Sequence, residues 1–99
     1  MTDQAIVVRV TPQTLKVSAK SNPNAVAGAL AAVLRERDHA EVQAVGASAI
    51  NQAVKAIAIA RSYLKDEKID LAVVPSFMTL SVGDEERTGM SLAIERRTA

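Results

Sequence analysis

The longest amphipathic stretch of the chain runs from Gly46 to Lys65 and constrains the fold more than any other segment. Apolar residues recur there every three or four positions, the period of an α-helix with one buried face. The face predicted to be buried consists of Ile50, Val54, Ile57 and Leu64, flanked by Ala49, Ala53, Ala56 and Ala60. The predicted polar side carries Ser48, Asn51, Gln52, Lys55, Ser62 and Lys65. We expect a long helix that covers a core and shows one polar side to water.

Two kinds of residue break this pattern. Ile59 falls on the polar side near Tyr63, and together they leave an apolar strip of the kind that usually contacts a partner. We therefore predict a homodimer that uses Ile59 and Tyr63. Arg61 projects into the apolar arc, where we expect its methylenes to lie on the core while its guanidinium reaches Asp70 or Glu41.

The rest of the chain predicts one mixed sheet. Alternation of apolar and polar residues from Leu15 to Lys20 predicts the first strand, and residues 42–45 predict the second. Between them, Asn22 as a cap and Pro23 at the first helical position predict a helix start. Two strands joined through a helix are expected to be parallel. Inside that helix Gly28 costs about 1 kcal/mol relative to Ala, so we expect close packing there.

The last third of the chain predicts a hairpin. A third strand covers residues 69–82, where Pro75 indicates an edge position or a bulge. Gly83 and Asp84 predict a tight turn before a fourth strand over residues 90–95. The predicted order is βαβαββ, an α/β protein (α+β two-layer sandwich) with an Alba-like mixed four-stranded sheet and two helices packed on it.

Length and composition limit the organisation of the chain. Ninety-nine residues suit one domain, which we assign to residues 14–97. Residues 1–13 form an N-terminal extension, either an edge strand over Ile6 to Val10 that stops at Pro12 or a partly ordered segment. The chain has no cysteine, no signal-like segment and no membrane-spanning run, so we expect a cytoplasmic protein without a membrane contact.

The net charge of the chain is not typical of a nucleic-acid-binding protein. The formal net charge is +1 and the sequence pI is about 8.1, whereas such domains often exceed a pI of about 9. Binding would have to depend on local clustering. One cluster joins two lysines to the predicted helix start, where free N–H groups attract anions. Its members are Lys16, Lys20, Ser21, Asn22 and Asn24. The alternative is an ordinary capped helix beside solvated lysines.

A second cluster lies on the polar side of the central helix. Asn51, Gln52 and Lys55 share that side and could bond to phosphates or to a partner's backbone. The alternative is a solvated surface. We find no catalytic constellation: His39 has no nucleophile motif, and consecutive acids at residues 84–86 cannot converge on a metal. We expect no enzyme activity, no metal and no cofactor.

Three strings in the chain resemble the stage V sporulation protein S family. They are LKVSAKSNPNAVAGALAAVLRER (15–37), VQAVGASAINQAVKAIAIAR (42–61) and GDEERTGMSLAIE (83–95). The resemblance implies a small regulatory protein of sporulation. That family is similar in turn to Alba, an archaeal chromatin protein that is a βαβαββ dimer binding DNA and RNA. The shared positions are Lys20, Gly46 and the AV-x-x-x-x-x-x-R spacing that ends at Arg61.

The chain departs from Alba at two places. Alba has basic residues directly after the glycine, where this chain has Ala47 and Ser48. Alba also has a long basic hairpin arm, where we expect a short turn with acidic residues at 84–86. Two hypotheses therefore stay open: a dimer that binds the DNA or RNA backbone, or a protein-interaction module in sporulation or cell-division control with a regulatory protein partner.

Overall fold

The computed structural model of the chain describes residues 8–11 and 13–98. Its elements are β1 (Val8–Thr11), β2 (Thr14–Val17), α1 (Pro23–Glu36), β3 (His39–Ala44), α2 (Ala47–Leu64), β4 (Ile69–Val82) and β5 (Glu85–Thr98). A single 3-10 turn, Lys65–Glu67, links α2 to β4. From β2 onward the elements follow the predicted βαβαββ order.

The strands form one sheet in the order β1-β2-β3-β5-β4. The β2–β3 pair is parallel as predicted, and the β3–β5 and β5–β4 pairs are antiparallel. These four strands are the expected mixed sheet, and β1 adds a fifth strand antiparallel to β2 at one edge. This strand consists of residues 8–11 of the N-terminal extension. Ile6, Val7 and Pro12 lie outside the described residues.

Both helices pack on one face of the sheet, and the core lies between the two layers. The strands contribute buried side chains at alternate positions, because successive residues point to opposite faces. The largest fully buried side chains of the strands and helices are Leu15, Val42, Ile94, Val26, Leu30, Leu34 and Leu64. Within the described part of the chain, no helix is long and apolar enough to cross a bilayer.

The central helix is rotated relative to the prediction. Its alanine row faces the core, and Ala49, Ala53, Ala56 and Ala60 are each 2% exposed or less. The prediction that Val54 is buried is wrong, since this side chain is 53% exposed. Small side chains let the helix backbone approach the sheet and α1 closely, so the alanine row occupies the centre of the contact.

The loop between β2 and α1 begins earlier than predicted. β2 ends at Val17, and a turn follows in which the Ser21 hydroxyl accepts the Ser18 N–H at 2.9 Å. Lys20 therefore lies in the turn and not in the strand. The predicted cap of α1 is confirmed: the side-chain oxygen of Asn22 accepts backbone N–H groups at 2.8 and 3.3 Å.

The β4–β5 hairpin extends beyond the end of the neighbouring strand β3. The two strands pair without a register shift from Ile69↔Thr98 to Val82↔Glu85, whereas β3 pairs with β5 only up to Ala44↔Met90. Residues 78–89 therefore form a two-stranded arm beyond the carboxyl end of β3. The turn is short as predicted, and the long arm that it closes was not predicted. β4 is the edge strand that Pro75 indicated.

Two glycines predict opposite effects of substitution by alanine. A Cβ at Gly89 would meet Val45 Cγ2 at 2.7 Å and the Ala44 carbonyl oxygen at 2.8 Å, so β3 and the base of the arm would have to separate. A Cβ at Gly28 would meet nothing within 4 Å, so the expected close packing there is wrong. We expect Gly89→Ala to destabilise the fold by about 1–3 kcal/mol, and Gly28→Ala to stabilise it by about 0.5–1 kcal/mol.

Urea unfolding of both variants followed by circular dichroism measures these free energies. Each glycine serves as the other's control because the added methyl group is the same. Equal effects in the two variants would contradict the described packing at Gly89.

Candidate functional site

Three segments meet at one end of the molecule, which we call the loop end. β2 and β3 are parallel, so the loop before α1 and the glycine before α2 both follow the carboxyl ends of neighbouring strands. The arm leaves the sheet past the Ala44↔Met90 pair, at the same end. Gly46 adopts φ 94°, a conformation that suits glycine, and this turns the chain sharply into α2.

Two of the predicted binding residues instead shape the loop. Gln52 is half-buried, and its side-chain N–H donates to the backbone carbonyl of Ser21 at 2.9 Å. Ser21 itself is 1% exposed. The amide of Gln52 therefore ties the loop before α1 to the side of α2. The prediction that Gln52 belongs to a solvated polar side is wrong.

The other predicted residues of the loop end stay at the surface. Lys20, Asn22, Asn24, Asn51 and Lys55 are all exposed. The Asn22 oxygen is engaged in the cap, which leaves its amide N–H groups for a ligand. The bond from Gln52 to the loop holds the α1 start against α2, so the two predicted clusters belong to one surface.

The loop end is positive although the chain is nearly neutral. Segments 13–34 and 42–60 contain three lysines, Lys16, Lys20 and Lys55, and no acidic residue. Lys16 lies apart from the other two because it pairs in register with Gln43 on β3 and is half-buried. The tip of the arm is negative, with acids at 84–86. The fold therefore places these lysines and the acids of the arm tip on different parts of the surface, although positive and negative charges nearly cancel over the whole chain.

The face of the sheet opposite the helices carries a polar cluster around Glu41. Its carboxylate accepts hydrogen bonds from the Thr14 hydroxyl at 3.4 Å, the Gln43 amide at 3.2 Å and the Ser91 hydroxyl. The Ser91 bond is the main reason that the pKa of Glu41 is lowered. The cluster combines residues of three strands, and no local sequence pattern pointed to it.

His39 lies at the edge of this sheet face. It is exposed, and its Nε2 lies 3.2 Å from the side-chain nitrogen of Gln13.

An apolar surface lies where α2 borders the edge strand β4. Val54 on α2 is 53% exposed, and on β4 Val73 is 38% and Phe77 80% exposed. Val73 and Phe77 alternate in step with the buried Leu71, so they lie on the helix-covered face of the sheet, beyond the cover that α2 provides. We call Val54, Val73 and Phe77 the apolar face.

The residues predicted to form the dimer interface lie elsewhere on α2. Ile59 is half-buried and packs against the core, while Tyr63 is 46% exposed. Their part in a dimer stays a prediction. Tyr63 and Phe77 are the only aromatic residues of the chain, and both are at the surface.

A charged cleft adjoins the apolar face at the carboxyl end of α2. Arg61 donates from Nε to Asp70 Oδ1 at 2.5 Å and from Nη2 to Oδ2 at 3.2 Å, which confirms Asp70 as its predicted acidic partner. Arg97 approaches the same carboxylate at 3.6 Å. The cleft encloses about 410 Å³ and is lined by Ala58, Arg61, Ser62, Lys65, Ile69 and Asp70. Two cations and one ionised carboxylate make it net positive.

Fold and surfaces together define a small α+β protein of the βαβαββ type, with one charged end and one uncovered apolar face. A comparison with protein families matches the stage V sporulation protein S (SpoVS) family over residues 13–97. The chain therefore belongs to the SpoVS family, which makes it a small sporulation-related protein. The similarity of its element order to Alba remains a resemblance in fold.

The Arg61–Asp70 contact predicts an unusual titration. Hydrogen bonds from Arg61 and from the Leu71 N–H, with the charge of Arg97 nearby, lower the pKa of Asp70 to about 2. The ordinary value in an unfolded chain is about 4. The stabilisation is therefore complete above pH ~4 and is lost as the pH falls towards 2.

NMR titration of the Asp70 carboxyl carbon measures this pKa directly. We expect Arg61→Ala to move it upward by more than Arg97→Ala does, because Arg61 makes two hydrogen bonds and Arg97 only a longer ionic contact. A wild-type pKa near 4 would contradict the described ion pair.

Proposed function

We propose that this SpoVS-family protein binds the backbone of DNA or RNA as a homodimer, and that it acts in the cytoplasm as a regulator without enzyme activity or cofactor. The observation that supports this most is the charge at the loop end. Exposed Lys20 and Lys55 lie on a surface built from two acid-free segments and the start of α1. Such a surface attracts phosphate even when the whole chain is nearly neutral.

The chemistry of the loop end suits phosphate and not base edges. Lysine ammonium groups, asparagine amides and the first N–H groups of a helix all donate hydrogen bonds or attract anions. Contacts of this kind position a nucleic acid but carry little sequence information. We therefore expect weak, salt-dependent binding with little preference for sequence.

The arm limits where a nucleic acid can lie. Its tip carries Asp84, Glu85 and Glu86 against a single cation, Arg87, so it repels phosphate. A nucleic acid bound at the loop end would contact the surface around Lys20 and Lys55 and avoid the tip. This differs from the basic arm of Alba.

The dimer is supported by the apolar face. Phe77 has a large apolar side chain that is 80% exposed. Its removal from water is favourable and requires that it pack against another surface. The second copy of the chain is the partner that is always present. The same face also supports the second hypothesis, a protein-interaction module in sporulation or cell-division control that binds a regulatory protein and no nucleic acid.

The first test concerns the lysines. Lys20→Ala combined with Lys55→Ala removes two phosphate contacts per chain, so the slope of log affinity against log salt should fall by about 1.8 per subunit in contact with duplex DNA. Fluorescence anisotropy with labelled RNA and DNA across a salt series measures it. Arg37→Ala combined with Lys68→Ala removes the same two positive charges at exposed positions away from the loop end, and this control should leave the slope unchanged.

Lys16→Ala combined with Lys20→Ala tests whether Lys16 contributes. A slope that stays the same in both double variants would remove the loop end as the binding surface. Absence of binding at low salt would favour the protein-interaction hypothesis.

The second test concerns the dimer. Phe77→Ala should raise the dissociation constant of the dimer at least tenfold, because it removes the most exposed apolar side chain of the apolar face. Light scattering at micromolar concentration measures the mass. Tyr63→Ala is the matched aromatic control and tests the interface predicted from the sequence: a larger effect there would favour Ile59 and Tyr63.

A further inference from the structure

We infer that two copies meet in an antiparallel arrangement, in which the acidic arm tip of each copy lies in the cleft at Arg61 and Lys65 of the other. This inference rests on the dimer proposed above and adds its geometry. It accounts together for three features that the fold of one chain leaves without a role: the exposed apolar face, the net positive cleft and the acidic tip.

The spacing along β4 supports this arrangement. The cleft includes Asp70 at the start of the strand, and the acidic tip begins at Asp84 just after its end. Phe77 lies seven residues from each, or about 23 Å at 3.3 Å per residue. A two-fold axis beside Phe77 therefore brings each tip over the other copy's cleft. Phe77, the most exposed large apolar side chain among the residues that the structure describes, would then lie at the centre of the contact.

The charges of the two surfaces are complementary. Arg61 uses Nε and Nη2 for Asp70, which leaves its third nitrogen, and Lys65 makes no ion pair within the part of the chain that the structure describes. Asp84, Glu85 and Glu86 also make no ion pair among those residues. An antiparallel dimer supplies partners for both sets, twice, by symmetry.

Pro75 favours contact through side chains over contact through strand edges. Proline has no N–H, yet the β4–β5 register passes through it without a shift, so its nitrogen faces the free edge. The row of edge donors on β4 is therefore interrupted near the middle of the strand. A continuous β4–β4 ladder across the axis is disfavoured, and the apolar face remains as the contact.

The arrangement would also serve the proposed nucleic-acid binding. A free arm places three carboxylates beyond the loop end, where they repel phosphate. Pairing of those carboxylates with the partner's Arg61 and Lys65 neutralises them, so dimerisation should strengthen the binding of nucleic acid at Lys20 and Lys55.

Cysteine cross-linking tests the arrangement, since the chain has no cysteine of its own. A mixture of Lys65→Cys and Glu85→Cys chains, oxidised at micromolar concentration, should form the mixed disulfide dimer at least tenfold faster than Tyr63→Cys mixed with Glu85→Cys. Mass spectrometry identifies the mixed species. Equal rates in the two mixtures would overturn the arrangement, while light scattering on the unmodified chain shows separately whether a dimer exists.

Charge reversal gives a second test that keeps Phe77 intact. Glu85→Lys with Glu86→Lys, and separately Lys65→Glu, should each raise the dissociation constant of the dimer at least tenfold. Mixing the two variants should restore association, because their reversed charges then face each other. Arg37→Glu changes the charge by the same amount as Lys65→Glu but lies outside the cleft, so it should have little effect on the dissociation constant. Failure of the mixture to associate more tightly than either variant alone would contradict the proposed contact.

Discussion

The packing of the alanine row of α2 against the sheet and α1 determines most of what this molecule shows to its surroundings. Alanine methyl groups bury little area each, but they let two backbones approach and let the larger side chains of α1 and the strands fill the space between the layers. The contact also sets the rotation of α2. Once Ala53 and Ala60 point inward, Val54 and Arg61 must lie at the border with β4, which creates the apolar face and positions the cleft.

The backbone order was predictable because each element has a local signal. Asn22 and Pro23 mark a helix start, Gly46 marks a sharp turn, and Pro75 marks an edge strand, and all three signals depend on backbone chemistry close in sequence. The rotation of α2 was not predictable in the same way. Periodicity shows that one side of the helix is buried. It does not show whether the row of alanines or the neighbouring row of larger residues faces the core, because that depends on the space between the helix and the sheet.

The surface was harder to predict than the fold for a related reason. Gln52 binds a carbonyl 31 positions earlier in the chain, and the cluster around Glu41 joins three strands, so neither has a signature in any local window. The arm was missed because a strand that continues beyond its neighbour has the same alternation as one that is paired on both sides. Gly89 is the one residue whose type points to the base of the arm, since a glycine within a strand often marks the close approach of another backbone.

Separation of charge explains how a chain with a net charge of +1 could still bind a polyanion. Electrostatic attraction depends on the field at a surface and is screened over about 10 Å at moderate salt, so acids at the arm tip weaken the attraction of the lysines for phosphate without cancelling it. The arm carries its carboxylates away from Lys20 and Lys55 along about five residue pairs of extended strand. A partner that neutralises the tip would leave the loop end as the dominant charge on its side of the assembly. Oligomerisation and nucleic-acid binding would then be linked through the same three carboxylates, each favouring the other.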